Sequence, residues 1–296
     1  GKPAEALQHF EKIIVLGGEA GLAQSYLRIA ATLGRQSNRT DALETMRVLA
    51  GLHPDKAVAQ YALAHLAVRV SDLDTATTAI DRALAINPAW EDAALFKARV
   101  LVSQKDTAKV LKYYEQYLDS YPRSSNMRLG YARLLVDLKQ WDKAREQFKR
   151  VVADTPRDAE VMFTIALLAL QSNELDEAER FLKRTLDLQP ENDQARLYLG
   201  QVAEQRKQYD EAIQWYSTVE SAELHFEAQA RLGVALARQG NIDQARAHLH
   251  NLSPKTEAQK VQLALAEEQM LRDVKQNAEA FDVLTRVLGE FPDNAD

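Results

Sequence analysis

The chain has 296 residues, 46% hydrophobic and 27% charged, a balance that excludes a disordered chain, and no apolar run approaches the ~18 residues of a membrane span. Its 37 basic and 43 acidic residues give a net charge of −6 with no basic stripe, so nucleic acid is not an expected partner. The absence of cysteine excludes disulfides, thiol nucleophiles and Cys-bound zinc, and only 11 Gly and 8 Pro favour helix throughout, so the expected class is all-α.

In chain order, Gly1 to Leu16, with Ala6, Phe10 and Ile13 on one face, reads as the second helix of a repeat whose first helix would precede it. Punctuation then begins. Pro54, Pro88, Pro122, Pro156 and Pro190 recur at one even spacing, a period of about 34 residues, and Pro292 falls three further periods on. Proline cannot continue a helix and restricts the residue before it, so each marks the close of a two-helix unit. The predicted units are 21–54, 55–88, 89–122, 123–156, 157–190, 191–224, 225–258 and 259–292, with 1–20 a partial repeat, all within one array spanning 1–296. Pro292-Asp293-Asn294-Ala295-Asp296 resembles the opening of another unit, which predicts a fragment of a longer array.

A second series shares that phase. Ala30, Ala64, Ala98, Ala132, Ala166 and Gly200 recur at the same period, as do Ala42, Ala76, Ala144, Ala178 and Ala212, with Val110 the exception. Two antiparallel helices approach closely only where both carry small side chains, and Met46, Ile80, Tyr114, Phe148, Leu182 and Tyr216 are predicted to fill the space around that contact. A third series marks the turn inside each unit: Leu73-Asp74-Thr75-Ala76, Trp141-Asp142-Lys143-Ala144, Leu175-Asp176-Glu177-Ala178, Tyr209-Asp210-Glu211-Ala212 and Ile242-Asp243-Gln244-Ala245. The Asp is predicted to cap the second helix and the bulky residue before it to pack back as a staple. The last three units are less regular. Leu224 replaces a closing proline, the small residues slip to Gly233 and Ala245, Pro254 falls early, and Glu268 stands where a small residue is expected, which predicts a longer turn around Lys275-Gln276-Asn277.

On these three series the sequence resembles the tetratricopeptide repeat (TPR) family over nearly its whole length. The resemblance implies a superhelical solenoid of about eight helix-turn-helix repeats, with partial repeats at both ends. Family members bind polypeptides, so the implied function is a non-catalytic adaptor or scaffold, not an enzyme.

Motifs for chemistry are missing: there is no Gly-rich phosphate loop, no His-Glu-x-x-His and no Gly-x-Ser-x-Gly, so no catalytic residue, cofactor or metal is expected. Of His9, His53, His65, His225, His248 and His250, only the last two are close, and residues two apart on a helix diverge. Glu177/Glu179 and Glu267-Glu268 read as solvated faces, and Asn38-Arg39-Thr40 as a chance glycosylation triplet.

In the resembled family the first helix of each unit lines a concave groove. Carried over residue by residue, its ligand-facing positions are Val58, Tyr61, His65 and Val68, then Leu95, Arg99 and Val102, then Leu129, Arg133 and Val136. They continue as Phe163, Leu167 and Leu170, then Leu197 and Gln201. Leu95, Leu129, Phe163 and Leu197 occupy places where the family's carboxylate-clamp subset carries Lys or Asn, which disfavours acidic chaperone tails as ligands. The expected groove is apolar with cationic points at Arg99 and Arg133, suited to an amphipathic helix or apolar extended segment. The competing use of the same stripe is burial against the next repeat or against a second copy in a homo-oligomer.

Stretches such as Gly1-Lys2-Pro3-Ala4-Glu5-Ala6-Leu7 and Trp90-Glu91-Asp92-Ala93-Ala94-Leu95-Phe96 also resemble long bacterial TPR lipoproteins of the outer membrane. These partner a carboxyl-terminal processing protease. The resemblance implies a periplasmic location, an N-terminal lipid anchor outside this chain, and delivery of cell-wall hydrolases to the protease. The alternatives are an assembly scaffold of a secretion or polysaccharide-export complex, or the regulatory arm of a larger glycosyltransferase.

Overall fold

A computed structural model describes residues 39–290, together with Tyr26 and Ile29. Ala30, the sequon residue Asn38, the N-terminal partial repeat and the segment from Pro292 lie outside the described residues. Among the described residues there are fifteen α-helices and no strand. The chain divides into two compact units, Gly1–Leu138 and Lys139–Asp296.

The first unit holds α1 (Arg39–Leu52), α2 (Ala57–Arg69), α3 (Leu73–Ile86), α4 (Glu91–Ser103), α5 (Thr107–Ser120) and α6 (Ser125–Asp137). The second holds α7 (Trp141–Asp154), α8 (Ala159–Gln171), α9 (Leu175–Leu188), α10 (Asp193–Gln205), α11 (Tyr209–Ser217), α12 (His225–Gln239), α13 (Ile242–His250), α14 (Glu257–Asp273) and α15 (Asn277–Glu290). Pro54, Pro88, Pro122, Pro156 and Pro190 each stand two residues past the end of a helix. Where the period lacks its proline, α11 and α13 are only nine residues long, against fourteen for α3, α5, α7 and α9. At the end of α11 the Ser217 and Thr218 hydroxyls donate to the carbonyls of Gln214 and Trp215, offering the backbone partners that compete with a further helical turn.

The small residues carry the helix-to-helix contact. Ala64, Ala98, Ala132 and Ala166 are fully buried, as are Ala76, Ala144, Ala178 and Ala212, with Met46, Ile80, Leu182 and Tyr216 wholly enclosed beside them. Gly200 is the extreme case, because a Cβ there would lie 2.3 Å from the Tyr216 ring.

The turns within hairpins share one backbone device. Ser71, Lys105, Lys139, Asn173, Lys207 and Lys275 all have positive φ, between 57° and 65°, and Gly240 takes the same place one residue early, which is the slip seen in the sequence. A left-handed residue other than glycine costs about 1–2 kcal/mol. At Ser71, Lys105, Asn173, Lys207 and Lys275 the packing between the two helices that the turn joins outweighs it.

Three expectations are corrected here. The repeated Asp does not cap. Asp74, Asp142, Asp176, Asp210 and Asp243 each sit one residue inside the helix, where they favour the dipole, whereas Asp72 and Asp106 cap α3 and α5 by accepting from the amides of Thr75 and Lys109. In the second unit the same Asp reaches the following hairpin: Asp142 accepts from the Ser172 hydroxyl at 3.1 Å, Asp176 from Arg206, and Asp210 from the Gln239 amide. The turn at Lys275 is not lengthened. Only Val274, Lys275 and Gln276 separate α14 from α15, as Val70, Ser71 and Asp72 separate α2 from α3, and Glu268 is tolerated at the small-residue place because it turns to pair with Arg272. Finally, Glu177 and Glu179 are not a solvated face. Glu177 pairs with Arg145, Lys149 and Arg180, and Glu179 with Lys183 and Arg206, so both tie α9 to neighbouring hairpins.

Tyrosines enclosed by this packing resist ionisation. Burial pushes Tyr26 up to about 12, with Asp55 adding to it, and burial likewise raises Tyr61, Tyr113, Tyr114, Tyr117, Tyr131 and Tyr216. In the unfolded chain these phenols titrate near 10. A pKa raised by folding gives stability that is complete below about pH 10 and is lost as pH climbs toward the folded value. Helical circular dichroism is therefore expected to hold up to about pH 10 and collapse above it. Helix content unchanged to pH 12 would contradict the burial of these rings.

Candidate functional site

In the first unit the candidate face is built on α2, α4 and α6. His65, Arg99 and Arg133 occupy one position of these three first helices, each a full period from the last, and Leu95 with Val102 and Leu129 with Val136 flank the two arginines in the same pattern. Each triad places its residues at i, i+4 and i+7, on one side of its helix. Arg99, Val102 and Arg133 are exposed, with Val102 at 48%, while Val58, His65, Leu95, Leu129 and Val136 are half-buried.

Aromatic rings join α2 to α4. The His65 and Phe96 rings stack at 3.9 Å, and Tyr61 lies edge-on to Phe96 at 5.5 Å and against Trp90 at 4.6 Å. Burial drives the His65 imidazole down to about 4, with Arg99 contributing, so it is uncharged at neutral pH. The Arg99 guanidinium lies 5.6 Å from the centre of the Phe96 ring. Between α5 and α6 the Tyr114 and Tyr131 rings stack at 5.5 Å, and the Tyr131 hydroxyl donates to Glu115 at 2.8 Å.

Glu91 fixes how α6 is entered. Its carboxylate accepts from the Ser124 hydroxyl, the Asn126 side chain and the backbone amides of Asn126 and Met127, capping α6 from the preceding hairpin. Burial works against ionisation of Glu91, but these hydrogen bonds outweigh it and hold the carboxyl below its usual range. Among the described residues, neither Arg99 nor Arg133 has an ion-pair partner, in contrast to Arg47, Arg145, Arg196, Arg206 and Arg238.

In the second unit Phe163 and Tyr198 meet at 5.8 Å, and Phe163, Leu167, Leu170 and Gln201 are half-buried. Two of the candidate residues do not offer surface. Tyr61 is 8% exposed and Leu197 4%, because Trp90 and Phe96 close over the first and the Tyr216–Leu232 cluster over the second. They back the face. Trp90, Phe96 and Tyr198 were missed by the positional transfer, although Phe96 and Tyr198 follow Leu95 and Leu197 directly and an aromatic there is the available signal.

A cleft of about 800 Å³ is edged by Thr155, Pro156 and Leu188. One of about 540 Å³ is edged by His225, Phe226 and Lys255, and another of about 460 Å³ by Arg47, Gln60 and Arg82. Among the described residues, no group of three His, Asp or Glu is placed to hold a metal, and no helix is long and apolar enough to cross a membrane.

Among solved structures, the chain resembles the C-terminal part of a TPR repeat-containing protein from Cytophaga hutchinsonii at 16% identity, covering 87% of this chain and 99% of that one with a TM-score of 0.54. It resembles a chain of the Naa15/Naa10 complex bound to HypK-THB at 17% identity and TM-score 0.54, covering 80% of this chain and 37% of that one. A tetratricopeptide repeat protein from Parabacteroides merdae is 17% identical over 78% of this chain and 98% of its own, with a TM-score of 0.49. The two likenesses with a TM-score of 0.54 show the fold. No curated protein matches the sequence. The family described as the tetratricopeptide repeat protein 21 C-terminal ARM domain matches residues 90–240, just over half of the chain, and the chain belongs to this TPR-type family.

Proposed function

We propose that the chain is a non-catalytic adaptor that holds an apolar polypeptide segment on the α2–α4–α6 face, with Arg99 and Arg133 taking carboxylates. The observation that carries this reading is the repeated triad, Leu95-Arg99-Val102 and Leu129-Arg133-Val136, in which each arginine is exposed beside apolar side chains with no ion-pair partner among the described residues. Covering one such aliphatic side chain stabilises a complex by about 1.5–3 kcal/mol, enough for useful affinity when several act together and ordering costs are met.

The resemblance to outer-membrane TPR lipoproteins supports a more specific form of the proposal. The partner is a carboxyl-terminal processing protease of the periplasm, which the adaptor activates and supplies with cell-wall hydrolases, and the anchor is an N-terminal lipid outside this chain. A purified protease of that class, passed over immobilised chain, is expected to be retained. Arg99→Glu with Arg133→Glu is expected to weaken retention of the segment-bearing partner about 100-fold while leaving the helical content unchanged. Retention undiminished by the double charge reversal would remove this face from the function. Failure to retain any such protease, with other polypeptides still bound, would remove only the partner assignment.

A further inference from the structure

The arrangement along three successive first helices specifies more than an apolar ligand with acidic groups, and the step that follows rests on the protein-binding reading above. The equivalent position changes in order: His65 on α2, Arg99 on α4, Arg133 on α6. His65 is stacked on Phe96 and backed by Tyr61, and with half-buried Val68 it gives α2 an uncharged, aromatic-backed end. The next two positions are exposed guanidinium groups without ion-pair partners among the described residues. The helices are neighbours: rings from α2 and α4 interlock, and α4 packs directly on α6.

Axes of packed helices stand about 8–10 Å apart. A segment in the polyproline II conformation has three residues per turn and advances about 3.1 Å per residue, so residues three apart share one face and stand about one helix spacing from each other. A segment running across the face therefore meets a cation, a second cation and an apolar end at three-residue intervals.

We propose that the ligand of this face is a segment in the polyproline II conformation with two acidic residues three apart and an apolar or aromatic residue three further on. The acids sit on Arg133 and Arg99, and the apolar side chain lies against His65 and Val68. The spacing excludes a helical ligand in the same register, because residues three apart on a helix rise only about 4.5 Å and would leave one arginine unmatched.

The test uses the intact chain and fluorescein-labelled peptides of about a dozen residues, read by polarisation. One series places the two acids two, three or four residues apart, each with a leucine three beyond the second acid. A second series replaces the acids by lysine and is titrated against the Arg99→Glu, Arg133→Glu chain as well as the native one. The three-residue spacing is expected to bind tightest, by about tenfold over either neighbour, because a lost charge-assisted pair is worth about that factor. The lysine peptide is expected to bind the charge-reversed chain and not the native one.

If all spacings bind equally and the lysine peptides bind the native chain as well, the acidic register is wrong while the apolar recognition face stands. If no peptide of either series binds better than a scrambled control, both the register and the binding face are overturned.

Discussion

Gly200→Ala is expected to destabilise the second unit by about 1–3 kcal/mol, although it adds a single methyl group. The added carbon would lie 2.3 Å from Cε1 and 2.5 Å from Cδ1 of Tyr216, whose ring is fully buried and has no space to retreat into. The neighbouring repeat shows how the strain is relieved. There Ala166 and Leu182 occupy the same two positions and both are fully buried, so alanine fits against a leucine. Two repeats earlier still, Ala98 fits against Tyr114 because Gly130 leaves room for that phenol, whereas Leu232 fills the equivalent place beside Tyr216. Tyr216→Leu in the Gly200→Ala background should therefore recover much of the loss, even though Tyr216→Leu alone removes packing. The measurement is urea unfolding of both single variants and the double variant. An additive double mutant would show that the two residues do not oppose each other.

The second large effect is expected at Glu204. Its carboxylate accepts from the Tyr216 hydroxyl at 2.8 Å and from Arg238 at 2.6 Å, and Arg231 lies 3.8 Å away. Arg238 in turn donates to Asp273 on α14 at 2.7 Å, so one acidic side chain on α10 links α11, α12 and α14. Only 14% of the Glu204 side chain is exposed, which keeps these bonds from being replaced by water. Glu204→Ala leaves a buried phenol and a largely covered guanidinium short of partners, a loss of about 2–3 kcal/mol once the partial exposure of both arginines is allowed for. Glu204→Gln, which keeps the shape and one acceptor, should lose about half as much. Thermal unfolding followed by circular dichroism checks both. Equal losses for Ala and Gln would mean that packing, not charge, is what Glu204 supplies.

The fold was legible because its determinants recur. A proline at the close of each regular unit and an alanine at two fixed places need only be counted, and each corresponds to a helix end or a buried contact in the structure. Roles within a turn were less legible. Asp74 and its equivalents looked like caps because a cap and a first-turn dipole partner differ by a one-residue offset that periodicity does not resolve. Their hydrogen bonds to Ser172, Arg206 and Gln239 reach into the next hairpin, beyond any local pattern.

The candidate face was legible as a set of helix positions but not as surface. Position on a helix gives direction, whereas exposure depends on what the next hairpin brings, and Trp90 and Phe96 cover Tyr61 where nothing comparable covers Val102. Glycines were the hardest to read. Gly130 stands outside the small-residue series, and a Cβ there would come within 2.9 Å of the Tyr114 hydroxyl, so it accommodates a tyrosine reaching over from α5.

The first-turn aspartates of the second unit act across hairpins rather than within them, so removing one hairpin strips anchoring bonds from the one before it. Damage would then travel outward from any broken hairpin, one neighbour at a time. Under stretching between its ends, this part of the chain is expected to yield in steps of whole hairpins, each leaving the next edge weaker than the interior it replaced.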